Sequence, residues 1–187
     1  LPVRQIIVKD HEMKEVGVTI DDNGNFSFDH YEARCDTKNF MAQQKSLQNG
    51  QIFEISPDAN YILDELCSFL KYSKGHLLIF DYGFLNTSFS STLQSLYKNQ
   101  KTNLLDNIGK QDITYHINFN EFKNIIEKFK PETINFYNQS EFLEKNGIHE
   151  RAHDLIQNNP DVKEEIEQQV RRLSGKKEMG ELFKVLE

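Results

Sequence analysis

The chain has no long hydrophobic run and no excess of positive charge. None of its apolar segments approaches the roughly 20 residues that a membrane-spanning helix requires. Its 187 residues carry a formal net charge of −7, with 22 Lys and Arg against 29 Asp and Glu. Because nucleic-acid-binding surfaces are basic, we expect no nucleic-acid partner, and we expect no membrane span.

Cysteine is scarce, since Cys35 and Cys67 are the only two in the chain. They form neither a metal-ligand cluster nor a disulfide framework, and this usage fits a reducing compartment. The cytoplasm of a bacterium and the matrix of a mitochondrion both satisfy that condition.

Strand and helix signals follow one another in the manner of an α/β protein. Alternating apolar residues on both sides of an Asn-Gly turn predict a β-hairpin from Val16 to Phe28. The polar composition from His30 to Gly50 predicts an exposed loop. Ser56-Pro57 predicts the start of a helix. The apolar stripe of that helix consists of Ile62, Leu63, Leu66, Phe69 and Leu70.

A continuously apolar segment follows that helix, from Leu77 to Phe80. It predicts a strand buried on both faces of a parallel sheet. Such a strand delivers its last residues, here Asp81 and Tyr82, to the crevice in which α/β proteins bind ligands. Further strands are predicted from Thr133 to Tyr137 and from Leu182 to Leu186.

The connection from Gly83 to Gln111 is longer than a plain loop of a compact domain, and loops of this length usually carry a function or contain hidden elements. A helical turn is predicted from Leu93 to Tyr97. The alternation from Ile113 to Phe119 predicts one strand, with Thr114 and His116 on the same face.

A series of short segments, in a defined order along the chain, resembles one known family. The segments are Leu1–Gln5, Glu54–Pro57, Asp81–Gly83, Thr92–Gln94 with Gly109, Asp112–Thr114 with His116 and Phe119, Gln139 with Glu141–Leu143 and Gly147–Ile148, and Met179–Val185. Together they resemble the MidA family of S-adenosylmethionine-dependent methyltransferases, which is similar to the mitochondrial methyltransferase of complex I assembly.

The resemblance implies a fold class and a division of the molecule. We expect an α/β fold, the C-terminal part of a Rossmann-like methyltransferase sheet, with an inserted β-hairpin and a helical substrate-site region. Residues 1–187 would form a single domain, the C-terminal half of the catalytic domain. The glycine-rich loop for the methyl donor belongs upstream in the family, and no Gly-x-Gly pattern occurs here. We therefore expect this chain alone to be inactive, with no residue assigned to the cofactor.

The resemblance also implies methyl transfer from S-adenosylmethionine to an arginine side chain of a protein, a subunit of complex I. That chemistry needs no metal. It needs carboxylates that hold the guanidinium group and an acceptor for its proton. Asp81 and His116 are the catalytic candidates. Their structural alternatives are a carboxylate that caps a turn and a histidine that only packs.

Five residues are candidates for substrate binding: Glu54, Tyr82, Gln94, Asp112 and Thr114. Tyr82 is expected to form a wall of the pocket, and Asp112 and Thr114 to shape it. Glu54 either reaches the pocket or bonds backbone groups near Ser56. Gln94 contacts the substrate if the long connection is a lid.

Two other classes of function stay open. A chain without the donor loop is compatible with a non-enzymatic protein-interaction module. His149-Glu150-Arg151-Ala152-His153 is a literal H-E-x-x-H motif, so a zinc hydrolase that uses His149, Glu150 and His153 is the other alternative. The expected partner is a protein substrate, and the oligomeric state stays open, with a homodimer among the alternatives.

Overall fold

The computed structural model describes residues 3–35, 37, 48–86 and 88–187. The chain divides into two compact units: unit 1 comprises Leu1–Ile62 and Thr87–Tyr115, and unit 2 comprises Leu63–Asn86 and His116–Glu187. The single domain predicted over residues 1–187 stays a prediction. Leu1, Pro2 and most of the loop predicted between positions 30 and 50 lie outside the described residues.

Unit 1 contains a four-stranded antiparallel sheet with the strand order β3-β2-β1-β4. Its small core combines Ile6, Val8, Phe53 and Ile55, all of them buried. The strands are β1 (Arg4–Lys9), β2 (Glu12–Ile20), β3 (Phe26–Glu32) and β4 (Ile52–Ile55). The predicted hairpin is confirmed, because β2 and β3 pair in register around the Asn-Gly turn.

A second sheet of unit 1 occupies the long connection. It consists of the strands β6 (Gln94–Tyr97), β7 (Gln100–Thr102) and β8 (Asp112–Thr114), in the order β7-β6-β8. The helical turn predicted from Leu93 to Tyr97 is therefore wrong, and this part of the substrate-site region is β rather than helical. A two-residue hairpin turn is the physical reason, since Lys98 and Asn99 adopt positive φ angles of 52° and 62°.

Helix α1 (Pro57–Ser73) begins in unit 1 and ends in unit 2. The predicted helix is confirmed, and it starts at the predicted proline, where the missing N–H costs nothing. Leu63 and Cys67 are its buried residues. Three members of the predicted apolar stripe instead face solvent: Ile62, Leu66 and Phe69.

Unit 2 contains a four-stranded mixed sheet with the order β10-β11-β5-β9. Its strands are β5 (Ile79–Phe84), β9 (Ile117–Asn118), β10 (Phe136–Asn138) and β11 (Phe183–Leu186). The strands predicted from Leu77, from Thr133 and from Leu182 are thus confirmed as β5, β10 and β11, and all three lie in this sheet. The expectation of a strand buried in a parallel sheet is wrong, because β5 pairs antiparallel with β11 and parallel only with the short β9, and Phe80 is 39% exposed.

The strand predicted from Ile113 to Phe119 is broken in two. Its first part is β8 of unit 1, and its second part is β9 of unit 2, so Thr114 and His116 do not share a strand face. The chain turns into a helix at Phe119, which is fully buried. The side chain of Asn118 caps that helix, because its Oδ1 accepts a hydrogen bond of 3.1 Å from the main-chain N of Asn120.

Unit 2 contains five further α-helices among the described residues. They are α2 (Phe119–Glu127), α3 (Gln139–Lys145), α4 (Ile148–Asn158), α5 (Lys163–Ser174) and the short α6 (Met179–Leu182), with a 3₁₀ turn at Pro160–Val162. None of the helices in the described ranges is long and apolar enough to cross a membrane.

The close approach of β5 and β9 leaves no room for a side chain at Gly83. A Cβ at this position would stand 2.5 Å from the carbonyl oxygen of Ile117 and 2.5 Å from the ring of Phe119. We expect Gly83→Ala to lower the free energy of unfolding by about 1–3 kcal/mol, since buried atoms must shift to admit the methyl group. Urea denaturation measures the difference.

Gly24→Ala is the matched control, because a Cβ there meets nothing within 4 Å and the only cost is its φ of +81°. That cost is about 1 kcal/mol. A loss at Gly83 below that at Gly24 would contradict the close approach at Gly83.

Candidate functional site

The end of β5 positions the first two site residues in unit 2. Asp81 lies opposite Lys184 of β11, and Tyr82 lies opposite Phe183. Because side chains alternate along a strand, Asp81 and Tyr82 start from opposite faces of the sheet. The ammonium group of Lys184 does not bond Asp81; it donates to Oδ1 of Asn138 at 2.8 Å and to the carbonyl oxygen of Glu181.

The carboxylate of Asp81 is half-buried, and its environment favours the protonated form. Burial raises the pKa of Asp81 above its ordinary value of 3.8. Two weaker effects oppose the shift: a hydrogen bond of 2.7 Å from the main-chain N of Tyr82 to Oδ1, and an electrostatic interaction with the imidazole of His116. Asp81 thus has one hydrogen bond to its own neighbour and an imidazole within electrostatic reach.

Tyr82 is the centre of an aromatic group. Its ring lies parallel to the imidazole of His116, with 6.2 Å between ring centroids and an interplanar angle of 12°. On another side it packs against Phe183, with centroids 4.0 Å apart. The structure therefore brings both predicted catalytic residues, Asp81 and His116, together with Tyr82 in unit 2.

Glu54, in β4 of unit 1, uses both carboxylate oxygens within the protein. Its Oε1 accepts from the main-chain N of Thr92 and of Leu93, each at 3.0 Å, and from Nε2 of Gln5 at 2.7 Å. Its Oε2 accepts from the hydroxyl of Thr92. This pattern attaches the chain just before Gln94 to the first sheet, so Glu54 fixes the segment that leads into Gln94.

Gln94, Asp112 and Thr114 lie in the second sheet of unit 1. Gln94 is directly opposite Thr114, and Leu96 is opposite Asp112. Opposite residues of an antiparallel pair point to the same side, so the three predicted substrate contacts share one face. Ser95, on the other face, is buried and donates to the carbonyl oxygen of Thr102 at 2.8 Å.

Some positions that build the site were not predicted from sequence. Gln5 and Thr92 were noted only within family-like segments, although both bond Glu54. Phe183 packs on Tyr82 from the far end of the chain. The hydroxyls of Ser56 and Tyr115 are 2.6 Å apart. No periodicity or spacing links positions so distant in sequence, and only the family-like order of the segments gave a signal.

The H-E-x-x-H motif lies on α4 with His149, Glu150 and His153 all exposed. The Nε2 of His153 is 2.8 Å from Nε2 of Gln157. Among the residues that the structure describes, no group of three His, Cys, Asp or Glu side chains is arranged to hold a metal ion. The motif therefore lacks the third ligand and the buried helix of a zinc hydrolase.

The residues of this chain do not fit a methyl-donor site. Such sites use a glycine-rich turn between a strand and a helix, where the backbone approaches the ligand closely. None of the nine glycines stands in a Gly-x-Gly pattern. At Gly83, near the end of β5, the space beside the backbone is instead occupied by the carbonyl oxygen of Ile117 and the ring of Phe119.

Fold comparison defines the class of protein. A structure from Burkholderia thailandensis, 24% identical, superposes with a TM-score of 0.85 over 99% of this chain and 51% of its own. A second structure from that organism, bound to S-adenosyl-homocysteine, is 25% identical, with a TM-score of 0.85 over 100% of this chain and 49% of its own. The fold is the C-terminal part of a Rossmann-like methyltransferase.

A sequence model of one family matches residues 1–136, and its description is S-adenosyl-L-methionine-dependent methyltransferase. The chain belongs to this family, whose methyl donor is S-adenosylmethionine.

Curated relatives agree with that assignment. The protein arginine methyltransferase NDUFAF7, mitochondrial, of Rattus norvegicus is 26% identical over 185 residues, which are 98% of this chain and 42% of the relative. The Homo sapiens protein of the same name is 28% identical over 132 residues, 70% of this chain and 30% of the relative. The chain thus spans less than half the length of the curated relatives that it matches.

A substitution at Glu54 tests whether this carboxylate stabilises the fold through its bonds to Thr92 and Leu93. We expect Glu54→Ala to lower the free energy of unfolding by about 2–3 kcal/mol, because two main-chain N–H groups lose a charged acceptor. Urea denaturation measures this loss. Glu12→Ala is the control, since its ion pair with Lys14 is on the surface, where solvent screens it, and we expect little change in stability. Equal losses would contradict the proposed anchoring of Thr92 and Leu93.

Asp81 should make stability depend on pH. Its pKa is raised in the folded state, so the unfolded chain releases the proton first, and stability falls as pH rises from 3.8 to the folded pKa. Asp81→Asn has no carboxyl group at this position, so this pH dependence is absent from the variant. We expect the variant's stability relative to wild type to rise across that window and then stay level, measured by denaturation at several pH values.

Asp21→Asn is the opposing control. Hydrogen bonds, the largest from the Asn25 side chain, lower the pKa of Asp21, so its stabilising effect is lost as pH falls through the folded pKa. Parallel pH curves for the Asp81 and Asp21 variants would refute the shift at Asp81.

Proposed function

We propose that this chain forms the substrate-side half of an S-adenosylmethionine-dependent protein arginine methyltransferase. Family membership supports the methyl transfer. The arginine acceptor is supported by the mitochondrial relatives that carry this activity in their names and match nearly the whole chain. The observation that carries the proposal is the grouping of Asp81, Tyr82 and His116 at the end of β5.

Asp81 is proposed to hold the guanidinium group of the acceptor arginine. A carboxylate accepts two parallel N–H bonds from a guanidinium group and orients its plane. Among the described residues, Asp81 accepts one hydrogen bond, from the main-chain N of Tyr82 to Oδ1. Burial favours the neutral form of Asp81, whereas a guanidinium cation nearby favours the charged form. Binding of the arginine side chain would therefore lower the pKa of Asp81 and shift it back towards ionisation.

His116 is proposed to accept the proton that leaves the guanidinium nitrogen. Bound S-adenosylmethionine supplies a methyl group on a sulfonium, and methylation of a guanidinium nitrogen ends with the loss of one N–H proton. Imidazole is suited to take up such a proton at neutral pH. Tyr82 lies parallel to the imidazole and would form one wall of the arginine pocket, where its ring face attracts a cation.

Gln94, Asp112 and Thr114 are proposed to contact the rest of the protein substrate from their shared sheet face. Glu54 would act as a positioning residue for Gln94 through its bonds to Thr92 and Leu93. The donor contacts would come from residues beyond this chain, which alone would be inactive. As the family resemblance implies, we propose a complex I subunit as the target, in a bacterial cytoplasm or, alternatively, a mitochondrial matrix.

The test combines this chain with a polypeptide that carries the methyl-donor half of the fold, S-adenosylmethionine and isolated complex I subunits. Mass spectrometry then detects methylarginine. We expect Asp81→Asn and His116→Gln each to lower kcat/KM at least about 100-fold, the range of a lost acid–base or orienting group. The His116 variant should also lose the acidic limb of the pH–rate profile, whereas a merely structural histidine would lower stability and leave the profile unchanged.

Glu150→Gln is the control variant, because Glu150 is exposed on α4 and would be the general base of a zinc hydrolase. It should leave methylation unchanged. Methylation of a different residue type would overturn the arginine assignment. If the wild-type proteins bind complex I subunits and S-adenosylmethionine but transfer no methyl group, the non-enzymatic interaction module is the better description.

A further inference from the structure

Unit 2 contains an open cavity between the C-terminal ends of α1 and α2. The cavity has a volume of about 430 Å³, and the end of β11 also lines it. This volume lies within the range of about 300–1,000 Å³ that is typical of small-molecule sites. Asp81, Tyr82 and His116 are not among the residues that line the cavity, so it is separate from the site proposed for arginine.

The floor of the cavity is apolar. Its apolar lining residues are Cys67, Leu70, Leu77, Ile126, Phe129 and Leu186. Three of them, Cys67, Ile126 and Leu186, are buried in unit 2. A ligand on this floor would lose contact with water over its apolar part, which is the main source of affinity in such sites.

The rim of the cavity carries most of its charge. Its charged lining residues are Lys71, Lys74, Lys130, Glu132 and Glu187, and the imidazole of His76 lies beside them. All three lysines are exposed, and none of them forms an ion pair with another residue that the structure describes. Three ammonium groups against two carboxylates favour an anion of single charge, although the whole chain has a net charge of −7.

Two of these lysines have a backbone conformation that lysine rarely adopts. Lys74 has a φ of 42° and follows α1 directly, and Lys130 has a φ of 51° shortly after the end of α2. Glycine is the usual residue at a left-handed position after a helix, because it has no Cβ to strain. Lysine occurs at both positions here, and both side chains border the same cavity, which points to a role for the ammonium groups.

We propose that this cavity binds a small monocarboxylate with an apolar tail or ring. The apolar part would lie on the floor beside Leu70 and Phe129, and the carboxylate would accept charge-assisted hydrogen bonds from Lys74 and Lys130. A ligand cation would meet three ammonium groups. A doubly charged phosphate would be repelled more strongly than a monocarboxylate by the two rim glutamates.

Calorimetric titration with decanoate tests the proposal on the chain as it stands. We expect saturable binding of decanoate, weaker binding of decyl phosphate, and binding of decylammonium that is at least about 10-fold weaker, the factor that one charged hydrogen bond represents. Amide signals in NMR spectra should shift most at residues 70–77 and 126–135, which border the cavity. Binding here needs neither S-adenosylmethionine nor an arginine side chain, so its failure and the failure of methyl transfer give different results.

A double variant tests the role of the two strained lysines. We expect Lys74→Gln combined with Lys130→Gln to weaken decanoate binding at least about 10-fold, because the carboxylate loses its charged donors. The matched control combines Lys98→Gln with Lys110→Gln. It removes the same charge, Lys98 has a similar φ of 52°, and neither residue lines the cavity. All four lysines are exposed, so both variants should fold normally, which circular dichroism verifies.

Four outcomes would overturn the proposal: no saturable binding of decanoate, decylammonium bound as tightly as decanoate, tighter binding of decyl phosphate, or equal affinity in the two double variants. If the Lys74 and Lys130 variant is less stable in urea but binds decanoate like the wild type, these lysines only compensate the carbonyl groups at the helix ends, and the proposal fails.

Discussion

The arrangement of unit 2 depends on the close approach of two backbones at Gly83. The absent side chain lets β9 lie beside the end of β5, with the Phe119 ring against the same spot. His116 immediately precedes β9, so this approach also decides where the imidazole lies. Tyr82 immediately precedes Gly83, and its ring reaches the imidazole from the neighbouring strand. One missing methyl group thus lets the imidazole of His116 lie beside the Tyr82 ring and within electrostatic reach of Asp81.

Two carboxylates of the chain show how environment separates structural from chemical roles. Glu54 accepts four hydrogen bonds from Gln5, Thr92 and Leu93, which leaves it little capacity for a ligand. Asp81 is half-buried with one main-chain hydrogen bond and a raised pKa. A buried acid with unused acceptor capacity is costly for stability, and such groups are typical of sites where a cation binds.

Local signals in the sequence predicted the elements that depend on local physics. The Asn-Gly hairpin and the helix at Ser56-Pro57 follow from turn and cap chemistry within a few residues, and both were confirmed. The strand β6 was missed because its turn uses Lys98 and Asn99 at positive φ, where glycine is the usual signal. The break between β8 and β9 was missed because the alternation continues through it, and only the partners of each strand reveal the change of sheet. The partners of Glu54 stand 38 and 39 positions away, beyond any periodicity.

The position of β11 has a consequence for how the protein is made. It is the last of the described strands in sequence, yet it lies between β5 and β10, and within the described part of the chain it alone pairs with both. While a ribosome is still adding the preceding residues, β5 and β10 have no common neighbour, and their apolar side chains stay uncovered. The sheet of unit 2 therefore closes only after synthesis has passed Leu186, and until then β5 and β10 lack the strand that pairs with both.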